Sequence, residues 1–232
     1  MPSTGTPTLT GTPARRPRRD AARNHQLVIE AARELLGEYG PDASMEQIAA
    51  RAGVGVGTVY RRFPGKESLV AELVTLVTAE LVEVGRQLLA HDDGTGLEEF
   101  LRVIGQSFED HRRWAGLLLP CAPPARSSGS EVRAQLALLL DNAHRAGTIA
   151  AEVRLGDVMV LIWGLRGLLE SSGEVAPNAW RRYLDIHLAG LRSTEPLSSM
   201  PPITAAQLKQ LPVPRPVTHA AHTGSSHQAV RA

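Results

Sequence analysis

The sequence is poor in the residues that support disulfide, metal or covalent chemistry. It holds one cysteine, Cys121, among 232 residues, so no internal disulfide and no cysteine-rich zinc cage is available, and such usage fits a reducing cytoplasm. No run approaches the ~18–20 consecutive apolar residues of a membrane-spanning helix. The opening residues are polar and proline-rich, unlike the apolar centre of a secretory signal. The expectation is a soluble cytoplasmic chain with no membrane partner. Internal repeats and alternating strand patterns are missing, as are a phosphate-binding glycine loop, a nucleophile elbow and metal-ligand spacing. No cofactor or metal is implied. An enzyme reading would have to rest on Cys121, which stands in a Pro-rich loop without a neighbouring His or carboxylate.

Net charge is +1, yet the charge is unevenly placed. Between Ala14 and Lys66 stand ten basic and six acidic residues, a surplus of four, so the rest of the chain sums to −3. Attraction for a polyanion is therefore concentrated in the N-terminal quarter.

That quarter contains residues 44–66, SMEQIAARAGVGVGTVYRRFPGK. Ser44 with Gln47 three residues on has capping-box spacing, and Ile48, Ala49 and Ala52 fall on one helical face. Gly53 stands where the first helix must turn, a position that often demands positive φ. A second helix over 56–63 then brings Thr58, Tyr60, Arg61 and Arg62 together, with Val59 and Phe63 as apolar anchors. Two short helices around a tight turn, the second carrying hydroxyls and guanidiniums, form the helix-turn-helix layout that reads a major groove.

Upstream, residues 20–39 repeat apolar side chains at three- and four-residue spacing, from Leu27 to Tyr39, before Gly40 and Pro41 stop the helix. This helix completes a three-helix domain. Residues 1–19, with Arg15, Arg16, Arg18 and Arg19, lack apolar content and read as a disordered basic arm. Downstream, residues 66–90 form a long helix of roughly 35 Å. Thr95 with Glu98 suggests another capping box, Trp114 centres a short apolar segment, Ser130 is a candidate N-cap, and Gly147 closes the helix that follows. Two helices over 155–171 and 177–191 hold the strongest apolar density. Val158, Ile162, Leu165 and Leu169 share a face of the first, and Trp180, Leu184, His187, Leu188 and Leu191 a face of the second. The proline-rich stretch 193–232 reads as a disordered tail.

The residues AARAGVGVGTVYRRFPGK, 49–66, resemble the TetR family of transcriptional regulators, whose motif ends in a similar Gly, Thr, apolar residue, Tyr, two variable residues, Phe and, three residues on, Lys. The resemblance covers about residues 20–70. It implies an all-α fold with an N-terminal three-helix DNA-binding domain, 20–66, followed by a helical effector-binding and dimerisation domain, 67–192. It further implies a homodimeric repressor on a palindromic double-stranded DNA operator, released by a small molecule.

By the same resemblance Ser44, Thr58, Tyr60 and Lys66 hold the DNA backbone. Gly55, Val56 and Gly57 open the reading helix where many relatives carry a polar residue, so Val56 offers only apolar contact, for example to a thymine methyl. Arg61 and Arg62 become the candidates for guanine or further phosphate contacts. Candidate effector contacts are Trp114, Met159, Trp163 and Arg166, with His111, Cys121, Asn142 and His144 behind them. Arg166 interrupts an apolar helix and calls for a partner: Glu170, the dimer mate or an anionic ligand. Residues 155–191 are the expected dimer seam, against the alternative that they form the monomer's core. The other readings are a constitutive helix-turn-helix binder or scaffold without an effector, and an enzyme using Cys121.

Overall fold

The computed structural model describes residues 16–91, 93–115, 128–172, 175–192 and 198–210. Among these, every regular element is helical: α1 (Arg16–Tyr39), a 3-10 turn (Gly40–Asp42), α2 (Met45–Ala52), α3 (Val56–Arg62), α4 (Lys66–Leu88), α5 (Gly96–Asp110), α6 (Arg112–Ala115), α7 (Ser128–Ala146), α8 (Leu155–Ser172), α9 (Ala179–Leu191) and α10 (Ala205–Gln210). The chain divides into two units. One comprises the described residues up to Thr78 with 113–115; the other takes Ala79–Arg112 and the described residues from Ser128 onward.

In the first unit, α1 presents Val28, Ala31, Ala32, Leu35 and Leu36 to a core completed by Ile48 and Ala49 of α2, Val59 and Phe63 around α3, and Leu69 and Leu73 of α4. The capping box forms: the Ser44 Oγ accepts from the Gln47 amide at 3.1 Å, and the Gln47 Oε1 accepts from the Ser44 amide at 2.8 Å. Gly53 ends α2 in the left-handed region at φ 66, where an L side chain would be strained. Helix α1 starts at Arg16, inside the stretch expected to be a disordered arm, because Pro17 fits a first helical turn, which needs no amide donor there. Residues 1–15, with Arg15, lie outside the described residues.

The division between units falls at Thr78, within α4, rather than at residue 66. Leu69, Val70 and Leu73 are needed to close the first core, so the opening turns of the long helix belong to it. Trp114 also belongs there. At 1% exposure it is one of the largest side chains in that core, held as the chain returns at α6, where the Arg113 guanidinium donates to the Glu38 carbonyl.

The second unit is built from the latter half of α4 with α5, α7, α8 and α9. Leu97, Phe100, Leu101 and Ile104 face Leu136, Leu139 and Leu140, and Leu165, Trp180, Leu184 and Leu188 fill the middle. Leu165 and Leu184 are 0% exposed. For these two residues the alternative of a monomer core holds, since their apolar faces are consumed within one chain. His187 does not share the buried face of α9 but is exposed. Thr95 forms no capping box; the Asp93 carboxylate captures its amide at 3.0 Å and its hydroxyl at 2.8 Å, so the hydroxyl is unavailable to the helix. Helix α7 begins at Ser128, two residues before the expected cap at Ser130. Residues 198–210 depart from the expected disordered tail: they end in α10, where Thr204 Oγ1 accepts from the Gln207 amide at 3.2 Å. Residues 193–197 and 211–232 lie outside the described residues.

Candidate nucleic-acid interface

Helix α3 is fixed from beneath and left open above. Its inner side is Val59, 1% exposed, and its C-terminal neighbour Phe63 is 2% exposed; both are locked in the first core. Gly55 is the N-cap in extended conformation, its carbonyl accepting from the Thr58 amide at 2.8 Å. On the outer side Gly55, Val56, Gly57, Tyr60, Arg61 and Arg62 are all exposed, with Val56 at 42% and Tyr60 at 43%. Large apolar and aromatic groups on such a short helix are held in water rather than buried.

The polar groups on this surface already have internal partners that orient them. Arg61 donates to the Thr58 hydroxyl at 3.0 Å, which holds a guanidinium and a hydroxyl side by side on one face. Arg62 turns toward α4, its Nη2 lying 3.5 Å from the Glu72 carboxylate and its guanidinium 5.6 Å over the Phe63 ring. The Tyr60 hydroxyl donates to Glu46 at 3.0 Å. This bond raises the Tyr60 pKa above the ordinary phenol value, with burial and the Glu46 charge adding to it. Glu46 moves the other way: its own backbone amide, then the Tyr60 hydroxyl, hold the carboxyl below the ordinary range. Lys66 sits at the first position of α4 and donates from Nζ to the Pro41 carbonyl at 2.6 Å, tying α4 to the turn that leads into α2. Ser44, Thr58 and Lys66 are half-buried, each held by a helix terminus or a turn.

Three groups at this surface lie outside the expected contacts. Glu46 and Glu72 are the acids that orient Tyr60 and Arg62, and His25 of α1 joins them, its Nε2 2.9 Å from Glu72 and its ring stacked 5.9 Å from Phe63. Between α1 and α3 lies a recess of about 540 Å³ lined by His25, Val28, Thr58, Val59 and Arg61. The signal for His25 was present: it lies one helical turn before the buried Val28, so the side of α1 that meets α3 includes it.

The expected effector contacts divide between the two units. Trp114 is consumed in the first unit's core. Met159, Trp163 and Arg166 are half-buried on α8, and Arg166 Nε donates to Glu170 at 2.7 Å, satisfying its charge inside the helix. One recess of the second unit, against α8 and α9, is lined by none of these residues. Cys121 lies outside the described residues, and among those described no helix is long and apolar enough to cross a membrane.

Comparison with known proteins decides the family. The chain aligns with the crystal structure of a TetR transcription regulatory protein from Mycobacterium vanbaalenii at 31% identity and a TM-score of 0.58, covering 76% of this chain and 99% of that one. The chain belongs to the TetR family. A TetR transcriptional regulator from Streptomyces coelicolor gives 30% identity, a TM-score of 0.56, and coverage of 73% and 99%. The family model of bacterial regulatory proteins of the TetR type matches residues 28–73, and a model of the C-terminal domain of SbtR-like transcriptional regulators matches 92–193. An HTH-type transcriptional regulator from Staphylococcus aureus is 43% identical over 53 residues, which is 22% of this chain and 29% of that protein. The chain thus matches under a third of that curated relative's length. This TetR-family chain is a transcriptional regulator with a DNA-binding helix-turn-helix formed by α2 and α3.

Proposed function

We propose that the chain is a ligand-responsive repressor that binds a palindromic operator as a homodimer and leaves it when a small molecule enters the second unit. Gly57 carries the reading of α3 as the helix that enters the groove. A Cβ built there meets nothing within 4 Å, so the fold has no need for glycine. A glycine inside a helix costs roughly 0.5–1 kcal/mol relative to alanine. The missing side chain therefore serves something outside the chain, and the close approach of a DNA backbone or base edge accounts for it.

Around it the roles divide by chemistry. Gly55 and Gly57 leave room for the duplex, and Val56 offers an apolar contact such as a thymine methyl. Arg61, steadied by Thr58, reads a guanine or a phosphate, and Arg62 is a second cation at the edge. Ser44 at the start of α2, Thr58, Tyr60 and Lys66 hold the backbone, as hydroxyls, an ammonium and a helix terminus are suited to do. Dimerisation goes through the outward faces of α8 and α9, where Val160 is 43% exposed and Ile186 57% exposed. Gly167 and Gly190 have open space above them on those same helices, which favours close helix packing by a second copy. On the effector side, Met159 and Trp163 remain the apolar candidates.

Footprinting the full chain on the DNA flanking its own gene, with and without candidate small molecules, tests the reading. A protected inverted repeat that is lost on adding one compound is the expected result. Protection unaffected by every compound would favour a constitutive binder, and no protection anywhere would remove the operator reading.

A further inference from the structure

The C-terminal family model ends at residue 193, yet residues 198–203 are seated on the second unit. Together with α8 and α9 they enclose a recess of about 540 Å³, whose lining includes Val160, Ile186, His187 and Met200. The seating is close. A Cβ on Gly156, in the first turn of α8, would collide with the Ile203 carbonyl oxygen, so the strap's backbone lies directly on the helix where only glycine leaves room. Beyond it, the Thr204 hydroxyl accepts from the Gln207 amide and α10 begins.

We propose that residues 198–203 form part of the contact between two copies of this chain, each strap lying against the partner's α8 and α9; this rests on the dimer reading given above. Three observations select a second copy as the occupant. Val160, Ile186 and Met200, at 43%, 57% and 74% exposure, are large apolar groups gathered around one recess on the face where the helices are to pair. Residues 198–204 carry no charge, and Pro201 and Pro202 have no amide hydrogen, so covering them strands no donor. The Met200 amide is already bonded to the Ser198 hydroxyl at 3.1 Å, and the Asp157 carboxylate at the rim already accepts from the Arg154 amide at 2.8 Å. The patch thus has a protruding thioether beside an apolar hollow. A two-fold axis through such a patch brings each knob to the other copy's hollow, the self-complementarity that a symmetric dimer requires.

The test is sedimentation equilibrium of the full chain with four variants, alongside helicity by circular dichroism. Met200→Glu places a charge on the strap, and Gly156→Ala lifts the strap while favouring the helix beneath it. Both are expected to raise the dimer dissociation constant, Met200→Glu by tenfold or more, with helicity unchanged. Val160→Glu and Ile186→Glu report on the helical seam itself. If they dissociate the dimer while Met200→Glu and Gly156→Ala leave it intact, the strap proposal is overturned and the helical dimer stands. An intact dimer in all four variants overturns both the α8 and α9 seam and the strap proposal, since the two copies would then meet elsewhere. A tighter dimer in either strap variant also overturns the proposal, since the strap would then be competing with the second copy. Because Met200 is exposed, its variant keeps the test decisive even where Gly156→Ala perturbs folding.

Discussion

The Tyr60 hydroxyl donates to the Glu46 carboxylate at 3.0 Å, so the exposed aromatic of α3 is tethered to the first turn of α2 by an acid. That acid stands on the surface proposed to meet a polyanion. It holds Tyr60 in one orientation and repels phosphate. Glu46→Gln is expected to tighten DNA binding several-fold while Tyr60→Phe weakens it, both read by fluorescence anisotropy over a salt series. The Glu46 pKa lies below the ordinary range, so the tether is intact at neutral pH and is lost only as pH falls through that lowered value. Affinity between pH 6 and 8 should therefore show no step that Glu46→Gln removes.

Gly57→Ala separates folding from binding. With open space above the position, alanine should stabilise the protein by about 0.5–1 kcal/mol in urea denaturation. The same methyl should weaken operator binding at least tenfold. A stabilised variant with full affinity would move the closest DNA approach away from α3.

The two arginines should behave differently. Arg61 is steadied by Thr58 on the open face, whereas Arg62 is drawn toward Glu72. Arg61→Ala is expected to cost about 1–3 kcal/mol and to relax preference at one base pair, with Arg62→Ala costing less. Lys66→Ala should lower affinity for all sequences alike and reduce the salt slope by about one unit. Competition binding with a panel of single-base operator variants distinguishes these outcomes.

Much of this site was legible in the sequence because its logic is local. The Ser44 and Gln47 box, the Gly53 turn and the buried Val59 and Phe63 all depend on residues within a few positions of one another. The misreadings involve partners that the periodicity of a single segment does not register. Trp114 returns to a core formed more than 40 residues earlier, which periodicity within its own segment cannot reveal. Thr95 had the right spacing for a cap, but Asp93 competes for the same hydroxyl. Leu165 and Leu184 were apolar enough for either a core or a seam, and only the packing of α5 and α7 against them decides for the core. Glu46 and Glu72 escaped notice because partners on different helices leave no spacing rule, whereas His25 was legible from its place one turn before Val28.

Leu165 and Val160 now carry opposite expectations. Leu165→Ala should destabilise the second unit by about 2–5 kcal/mol, the usual cost of a cavity in a tight core, without changing the oligomeric state of the folded fraction. Val160→Glu, on the outward face, should leave stability nearly unchanged and yield folded monomers. Thermal denaturation and sedimentation of the same samples check both.

An acid-dependent part of stability resides at Glu98. Burial pushes its carboxyl up, but hydrogen bonds from Arg192 and Arg102 outweigh it and leave the pKa below the ordinary value. Its contribution is therefore fully present above the ordinary carboxylate range near ~4.3 and is lost as pH falls through the lowered value. Glu98→Gln should lower stability at neutral pH and flatten the acid limb of a stability-against-pH curve, measured by urea midpoints between pH 3 and 7.

The return of Arg113 and Trp114 to the first unit has a practical side for protein engineering. A fragment cut after α3, or even after Thr78, would lack the indole that plugs its interior, so the reader cannot be excised as an N-terminal module. Chimaeras that exchange readers between relatives would have to carry the short helix at Arg112–Ala115 along with residues 16–78, or supply a replacement for Trp114 from the recipient.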